Sequence, residues 1–458
     1  MPYRPGACRS DGAPLDHRGR YRYPVASVST YAERRKNLMA ELPGGVAVFP
    51  SAPVAIRNND VEHEYRQDSD FYYLTGFAEP DSVLVLATEH PDHTSVLFVR
   101  PRDPDREVWD GARAGVDGAV AQYGADAAFP ISELALRLPD YLQNHERLLY
   151  RLGKDRAFDE KMLAALDATR ARSRRAISWP TQIVDPASLV HEMRLFKSNE
   201  ELSSMKRAAA ITRDAHLAAM HLAKPGRYEY EVEAALCQVF RKNGSERPAY
   251  APIVGSGPNA TVLHYRQNDR RIEAGDLLLI DAGCEYGYYA SDVTRTFPVD
   301  GKFSAPQESI YRVVLDAQLA AIDATCPGAT LEQIHEKALH VIVDGLMKLA
   351  LLGGDRQKIM DEQLYRPFFM HRTSHWLGMD VHDVGAYFRH KKPRPLEAGM
   401  VITVEPGIYI AAGNTSVPPE YRGIGVRIED DVLVTNGGQL NLTADIPKSV
   451  SEIERACA

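Results

Sequence analysis

The 458-residue sequence predicts a protein of two domains with mixed α and β structure, an N-terminal α/β domain followed by a domain whose helices and strands form two similar halves. The chain is longer than about 250–300 residues, the size at which a single hydrophobic core stops growing and chains divide into domains. The segment ISWPTQIVDP at residues 177–186 has two prolines and no hydrophobic periodicity, which is typical of a domain boundary. Two later stretches, GDLLLIDAG at 275–283 and GMVITVEPG at 399–407, have glycine, acid and glycine at the same intervals.

Composition excludes several classes of protein. The chain is 44% hydrophobic and 25% charged, as globular domains are. No apolar run approaches the ~18 residues of a bilayer span, and the first 25 residues lack the apolar core of a secretory signal. A net charge of −8 without a basic block argues against a nucleic-acid partner. Five scattered cysteines without CxxC spacing indicate a reducing cytoplasm.

The N-terminal part divides into a flexible tail at residues 1–30 and an α/β domain at residues 31–185. A helix is predicted from Tyr31 to Leu42, and strands at Val83–Leu86 and Thr94–Val99.

The second domain is predicted over residues 186–458. Ser198-Asn-Glu-Glu is a capping box that opens a long helix, and Pro225-Gly226 ends it. The following helix ends at Gly244, and further helices are expected over about 309–352, between the two strand groups.

Each of the two similar stretches ends an apolar strand with an acid, Asp281 in the first and Glu405 in the second. Each half supplies another acid, Asp292 in YYASDVTRTF and Glu429 in GIGVRIEDD. Gly287 lies midway between the first two acids and predicts a hairpin that returns the second beside the first. A carboxylate at a buried strand end needs a proton, an ion pair or a metal, although Asp281 taken alone is equally a turn cap.

Three histidines, His371, His375 and His382, lie between the halves in HRTSHWLGMDVHDVG. Two Asp and two Glu carry four negative charges, which two divalent cations would balance. A donor set of oxygens with one imidazole suits Mn²⁺ or Co²⁺ better than it suits a structural zinc ion, which is usually bound by thiolates. Two ions about 3.5–4 Å apart would bridge a water and lower its pKa. A mononuclear HExxH site is excluded because position 372 is Arg.

Three other features have ordinary interpretations. From its local context in VLHY, His264 is typical of a structural core histidine. Gly255-Ser-Gly257 lacks the remaining residues of a phosphate-binding loop. Cys284 is expected to be a packing residue and not a nucleophile.

Five separated motifs, in order, carry a resemblance to a known family: VGSGPNATVLHY, LLLIDAGCEYGYYASDVTRTFPV, HWLGMDVHDVG, TVEPGIYI and YRGIGVRIEDD. The sequence resembles the proline-specific metallopeptidases of the aminopeptidase P and prolidase family. Through RNNDVEHEYRQDSDFYYLTGFAEPDSVLVL the likeness extends over roughly residues 30 to 450. It implies an α+β catalytic domain of the "pita-bread" type with pseudo-twofold halves, and an N-terminal α/β domain that shapes the pocket and supports oligomers.

The resemblance also implies roles for individual residues. The implied metal ligands are Asp281, Asp292, His375, Glu405 and Glu429, with Asp292 and Glu429 bridging both ions. The implied substrate-handling histidines are His264, His371 and His382, supported by Arg427. Trp109 matches a tryptophan that reaches the active site of a neighbouring subunit. Arg372 departs from the family, whose bacterial members usually have glycine after the first histidine, and a bulky cation there is expected to alter the pocket wall or the backbone angle beside His371.

The implied reaction is the release of the first residue from peptides with proline in the second position. Two divalent ions, Mn²⁺ with Co²⁺ or Zn²⁺ as alternatives, would hold a bridging hydroxide that attacks the Xaa-Pro carbonyl. Glu405 would act as general base, His371 would stabilise the oxyanion, and His264 and His382 would orient the amide. A homodimer or homotetramer is expected, without a membrane or nucleic-acid partner.

Three alternatives share the fold. A prolidase, which cuts only Xaa-Pro dipeptides, has the same metal ligands and differs in the substrate length it accepts. A creatinase-like hydrolase lacks the metal ligands, and so do the non-catalytic binding scaffolds of this fold. The complete set of five ligands disfavours both.

Overall fold

The computed structural model describes residues 27–172 and 176–458. They form two compact units, which meet in sequence between Arg194 and Leu195. Nearly all of the predicted tail at residues 1–30 lies outside the described residues, and the predicted domain limits stay a prediction. Within the described ranges, no helix has both the length and the apolar character that crossing a bilayer requires.

The N-terminal unit is built on a six-stranded mixed sheet. Its strands are β1 (Gly45–Pro50), β4 (Val83–Ala87), β5 (Ser95–Val99), β6 (Ala127–Pro130), β7 (Arg147–Leu149) and β8 (Gln182–Val184), and β2 (Ile56–Asn58) and β3 (Val61–Glu62) form a separate exposed hairpin. The spatial order is β6-β5-β4-β1-β7-β8, with β4 antiparallel to both neighbours and the other pairs parallel. Strands β4 and β5 are buried throughout, as the centre of such a sheet requires.

Helices surround this sheet. They are α1 (Val28–Ala40), α2 (Ser69–Thr75), α3 (Pro104–Asp110), α4 (Gly115–Tyr123), α5 (Leu134–Leu142), α6 (Arg156–Arg170) and α7 (Val190–Leu195). The predicted first helix and both predicted strands are confirmed. Helix α1 begins three residues before Tyr31 because the Ser27 side chain caps it by accepting a hydrogen bond from Thr30 N.

The C-terminal unit repeats one arrangement twice. Its strands are β9 (Arg247–Pro248), β10 (Ile253–Ser256), β11 (Leu277–Asp281), β12 (Cys284–Tyr286), β13 (Tyr289–Ala290), β14 (Thr294–Pro298), β15 (Phe388–Arg389), β16 (Lys392–Pro393), β17 (Val401–Val404), β18 (Gly407–Tyr409), β19 (Gly425–Arg427), β20 (Asp430–Thr435) and β21 (Gly438–Asn441). The first half contains the antiparallel sheet β10-β11-β14, and the second contains β17-β20-β21.

A pair of long helices precedes each of these sheets. The helices of the unit are α8 (Asn199–Leu222), α9 (Glu229–Lys242), α10 (Ala305–Asp323), α11 (Leu331–Lys348), α12 (Arg356–Asp361) and α13 (Val450–Cys457). The predicted capping box at Ser198 is confirmed, since its side chain and that of Glu201 satisfy each other's backbone N–H groups. The predicted halves are therefore present as two helix pairs, each leading into a sheet.

The predicted hairpin at Gly287 is also confirmed. Strand β12 pairs with β13, and Gly287 and Tyr288 between them have φ of 59° and 68°. Positive φ at both central residues is the conformation of a type I′ turn, which matches the twist of antiparallel strands.

One buried ion pair joins two helices of the N-terminal unit. The Asp70 carboxylate of α2 accepts hydrogen bonds from Arg194 Nη1 at 2.7 Å and lies 3.1 Å from His191 Nε2, both on α7. Burial raises the pKa of Asp70, but the hydrogen bond from His191 and the charge of Arg194 outweigh it and hold the pKa well below its usual range. The ionised carboxylate therefore stabilises the folded unit.

We expect Asp70→Asn to destabilise the folded chain by about 3 kcal/mol at pH 7, because it removes one partner of a buried ion pair. The folded-state pKa is depressed, so the contribution is present above the unfolded-state pKa of about 3.9 and disappears as pH falls through the folded-state value. The difference between the unfolding free energies of wild type and variant, measured with urea, should therefore begin to shrink near pH ~4 and decrease further at lower pH. A stability difference that is constant from pH 7 to pH 3 would contradict this, and Asp60→Asn, at an exposed turn, is the control.

Candidate metal centre

A cavity of about 930 Å³ opens in the C-terminal unit, and every metal ligand and substrate-handling residue that the sequence predicted there lines it. These residues are His264, Asp281, Asp292, His371, His375, His382, Glu405, Arg427 and Glu429. They come from both halves of the unit, so the site forms only when the halves are assembled.

In the first half, a hairpin places two acids side by side. Strand β11 ends at Asp281, which pairs with Thr294 of β14, and Asp292 lies two residues before that partner. A Cβ on Gly283 would lie 1.8 Å from the backbone oxygen of Ser291. Glycine follows the acid because the returning chain needs this space to bring Asp292 to the site.

The second half has a matching glycine. Glu405 follows β17, and a Cβ on Gly407 would lie 2.5 Å from the Tyr409 hydroxyl, which belongs to the site. Glu429 immediately precedes β20, and its N–H donates to the carbonyl of Thr294 at 3.1 Å. That bond connects the two halves directly at the acids.

His375 reaches the acids because its segment runs along β17. Thr403 N donates to His375 O at 3.0 Å, and Leu377 N donates to Val401 O at 3.0 Å. The ring Nδ1 lies 2.9 Å from Trp376 O, so Nδ1 carries the proton and Nε2 faces the cavity.

The ligand atoms come close to one another. Asp292, His375 and Glu429 each offer one ligand atom within 4.8 Å of the others. His375 Nε2 lies 3.4 Å from Asp292 Oδ2 and 3.5 Å from Glu405 Oε1. Asp281 is joined to the group by Tyr250, whose hydroxyl lies 2.6 Å from Asp281 Oδ1 and 2.5 Å from Asp292 Oδ1.

Electrostatics shows that this donor set fits divalent cations. Burial raises the pKa of Glu405 to about 7, and burial with the charge of Asp292 raises the pKa of Glu429 well above its usual range. Burial and Asp292 also raise the pKa of Asp281 despite the opposing charge of a nearby arginine. Burial lowers the pKa of His375, but Asp292 and Glu405 outweigh it and raise the pKa to about 9. Carboxylates that hold protons this strongly have an affinity for added positive charge, and oxygen donors with one imidazole suit a hard divalent ion.

Arg427 positions several of these groups. Its Nη2 donates to Asp281 Oδ2 at 2.6 Å, its Nε to Thr294 Oγ1 at 3.0 Å and its Nη1 to the Tyr409 hydroxyl at 3.0 Å. Thr294 Oγ1 in turn donates to Glu429 Oε2 at 2.6 Å. One buried guanidinium therefore orients an acid from each half.

The other cavity histidines differ in their surroundings. Burial and the charge of Arg427 lower the pKa of His371 to about 3, so its ring is neutral at pH 7. His371 Nδ1 donates to Arg372 O at 2.7 Å, and Nε2 lies 2.9 Å from the Tyr409 hydroxyl. His382 packs edge-on against His375 at 4.4 Å between ring centroids. His264 is exposed on the cavity wall, so its interpretation as a core histidine from local context is wrong.

Arg372, the departure from the family pattern, does not distort the backbone. Its φ is not positive, so the position does not require glycine. The exposed guanidinium forms an ion pair with Glu332 in the first turn of α11 at 3.1 Å, at the wall of the cavity. Trp109, by contrast, lies on α3 of the N-terminal unit with 84% of its surface exposed. Its predicted reach into a neighbouring site stays a prediction.

Sequence reasoning missed four residues of the site. They are Tyr250, Thr294, Tyr409 and Asp431, whose carboxylate accepts the N–H of Asp292 at 3.2 Å. All three of Thr294, Tyr409 and Asp431 stand within the quoted motifs. Thr294 and Asp431 each follow a predicted ligand by two residues and Tyr409 follows one by four, which is a usable signal. Tyr250 lies outside every motif, in the segment between β9 and β10, and the pairing of these strands with β12 and β11 brings it to the acids.

The model of metallopeptidase family M24 matches residues 203–436, more than half of the chain. The chain belongs to metallopeptidase family M24. The model of the aminopeptidase P N-terminal domain matches residues 31–150.

Similar proteins agree with this assignment. The chain is 44% identical to the Xaa-Pro aminopeptidase of Escherichia coli over 93% of its length and 96% of that protein's. The solved structure of Pseudomonas aeruginosa aminopeptidase PepP is 50% identical, has a TM-score of 0.93, and covers 94% of this chain and 98% of its own. That of zinc-substituted E. coli aminopeptidase P in complex with product is 43% identical, with a TM-score of 0.91 and coverage of 94% and 98%. The predicted resemblance, the pita-bread fold and the prediction of a metal-dependent hydrolase are confirmed.

We expect Gly283→Ala to reduce divalent-metal affinity at least about tenfold, because the new methyl displaces the segment that carries Asp292. Isothermal titration calorimetry with Mn²⁺ measures the affinity. Gly353→Ala is the matched control, since a Cβ there meets nothing within 4 Å. Wild-type affinity in Gly283→Ala would show that this close approach does not shape the site.

Proposed function

We propose that the chain is an Xaa-Pro aminopeptidase that binds two divalent cations and releases the first residue of peptides with proline in the second position. One observation carries the proposal: four carboxylates and one correctly oriented imidazole converge in a cavity of an M24 chain. The 44% identity to the E. coli Xaa-Pro aminopeptidase supports the choice of substrate.

The five ligands have distinct positions in this proposal. Asp292 and Glu429 are the most buried and would contact both cations, whereas Asp281, His375 and Glu405 would each hold one. When bound, two such ions lower the pKa of a shared water and polarise the scissile carbonyl. Mn²⁺ is the ion that this oxygen-rich set favours, with Co²⁺ and Zn²⁺ as alternatives.

Glu405 is the residue that we assign to take the proton from the attacking water. Its carboxylate faces the cavity, with Oε1 3.5 Å from His375 Nε2 and Oε2 3.8 Å from His371 Nδ1. Thr403 Oγ1 donates to Glu405 Oε1 at 3.3 Å and restricts its rotation. A carboxylate held at the edge of the ligand group can move a proton without leaving its place.

The three remaining histidines would handle the peptide. His264 and His382 are exposed to the cavity, and neither makes a hydrogen bond to another residue in the described ranges, so their ring nitrogens can bond the substrate. His371 has both ring nitrogens occupied, and because Nδ1 donates to Arg372 O, the neutral ring has no proton on Nε2. A role at the oxyanion would therefore require Nε2 to gain a proton and to exchange Tyr409 for the substrate. Proline fits such a site because its imide has no N–H to satisfy and its ring can pack on the wall made by Tyr387 and Phe388.

A prolidase would use the same metal ligands, and the two activities are separated only by substrate length. A non-catalytic scaffold is disfavoured because all five ligand residues face one cavity. We also propose a homo-oligomer in the cytoplasm. The adjacent Val108 and Trp109 are 82% and 84% exposed, which is unusual for apolar side chains outside an interface, and the four described cysteines are free.

Exhaustive chelation should abolish cleavage of Xaa-Pro-Xaa tripeptides, and Mn²⁺ should restore it, because the ions would lower the pKa of the attacking water. The same assay on a series that varies in length and second residue should show cleavage only with proline second, and with tripeptides at least as good as dipeptides. Full activity in a verified metal-free sample would refute the metal mechanism. Cleavage of dipeptides alone would replace the proposed activity with prolidase activity.

Glu405→Gln should give a folded protein whose kcat is lower by about 10²–10⁴-fold, the usual contribution of a general base. Circular dichroism and metal analysis report folding and ion content beside the kinetics. Glu362→Gln, on the exposed surface of the same unit, should behave as wild type. Wild-type turnover by Glu405→Gln would rule out its assignment as the base.

Trp109→Glu should lower the oligomer mass in sedimentation, because a buried charge at an interface opposes association. Leu136→Glu replaces another apolar side chain of the N-terminal unit, 72% exposed, and should leave the mass unchanged. If Trp109→Glu keeps the wild-type mass and activity, Trp109 has no role in assembly or in a neighbouring site.

A further inference from the structure

A buried carboxylate outside the cavity contacts the segment of chain that carries His264. Glu229, the first residue of α9, has no exposed surface. Its Oε1 accepts hydrogen bonds from Ser256 N at 2.6 Å, Ser256 Oγ at 2.7 Å and Asn259 Nδ2 at 3.2 Å. Its Oε2 accepts from the Tyr265 hydroxyl at 2.8 Å and from Arg270 N at 2.9 Å.

All five donors belong to one segment, called the loop here, which runs from Ser256, the last residue of β10, to Arg270, before β11. Ser256 and Arg270 are its two ends, and Tyr265 lies near its middle. The Glu229 N–H also donates to Arg270 O at 3.1 Å, so the second end is held twice. One buried side chain therefore fixes both ends and the centre of the loop.

Leu263 and His264 are the residues of this loop that line the cavity, and His264 is the one with a side chain that can bond to a substrate. It precedes Tyr265, which is 8% exposed and points away from the cavity to Glu229. Consecutive Cα atoms lie about 3.8 Å apart, so anchoring Tyr265 restricts where the His264 backbone can be. The His264 ring itself is exposed and makes no hydrogen bond to another residue in ranges 27–172 and 176–458. Its position therefore depends on the loop.

The chemistry of the contact between Glu229 and the loop favours a loop that is held rigidly. A buried carboxylate is costly unless donors surround it, and here two backbone N–H groups and three side chains do so. Hydrogen bonds to an ionised acceptor are roughly twice as strong as neutral ones, so the loop is held more firmly than by an amide or hydroxyl.

We propose that Glu229 is a positioning residue for the reaction, which holds the loop of residues 256–270 so that the His264 imidazole meets the substrate in the cavity. The role assigned to the loop rests on the proposed function. Glu229 touches neither the substrate nor the metal ligands and acts through His264.

A double-mutant cycle on the metal-loaded full chain tests this. Glu229→Gln places an amide NH₂ against N–H and O–H donors and loosens the loop, so kcat/KM for a tripeptide such as Ala-Pro-Ala should fall about 10–100-fold. In a His264→Ala background the same change should cost less than about twofold, because the residue that Glu229 positions is gone. Equal losses in both backgrounds would overturn the proposal, since Glu229 would then act through general stability.

A second variant keeps the test valid if Glu229→Gln fails to fold. Tyr265→Phe removes one donor to Glu229 and leaves the other four, and its smaller loss in kcat/KM should also vanish in the His264→Ala background. Glu231→Gln is the matched control on α9, because that exposed carboxylate contacts Arg227 and the N–H of Tyr228 instead of the loop. It should leave kcat and KM unchanged.

Amide hydrogen exchange gives a readout that does not depend on activity. In Glu229→Gln, the amides of residues 256–270 should exchange faster while those of β11 and β14 keep wild-type protection. Wild-type protection of the loop would overturn the proposal even if activity fell. If the wild-type chain fails to cleave Xaa-Pro peptides, the proposed function is wrong, and exchange alone then decides whether Glu229 orders the loop.

Discussion

The structure of the C-terminal unit is organised around a concentration of negative charge. Four carboxylates share a buried cavity with a single imidazole directed at them. Two like charges 4 Å apart repel by about 4 kcal/mol at an effective dielectric constant of 20, so four cannot remain ionised together without compensation. Arg427 compensates for part of this charge through Asp281, and Tyr250 supplies a proton donor between Asp281 and Asp292. The remainder requires protons or cations, so the charge of the cavity favours cation binding before any reaction is considered.

The fold brings these four carboxylates together by using the same strand arrangement in both halves. Each half ends an apolar strand with an acid, follows it with a glycine that permits a close approach, and returns a second acid on a neighbouring strand. The halves join at the acids themselves through Glu429 N and Thr294 O. Behind this contact, Arg295 and Asp430 form an ion pair with no exposed surface, and Arg295 Nη1 also donates to the carbonyl of Glu429. Displacing either strand would therefore move ligands of both halves.

Sequence reasoning succeeded where the signal was local and periodic. The strand-end acids, the Gly287 hairpin and the Ser198 capping box each depend on residues close in sequence, and the structure places them as predicted. It failed where long-range pairing decides the contact. Tyr250 has no local mark of function and reaches the acids because the strands on either side of it, β9 and β10, pair with β12 and β11. By sequence, Glu229 is an ordinary glutamate at the start of a helix. In the structure, its carboxylate accepts the hydrogen bonds that hold a loop more than 25 residues away in sequence. His264 was misread locally because exposure to a cavity cannot be seen in a four-residue window.

The central claim is that the four acids and His375 enclose a pair of cations. Anomalous diffraction from a crystal of the full chain grown with Mn²⁺ measures this directly. We expect two manganese peaks enclosed by the side chains of Asp281, Asp292, His375, Glu405 and Glu429. No peak there, or a refined structure in which these five side chains do not share one site, would contradict it.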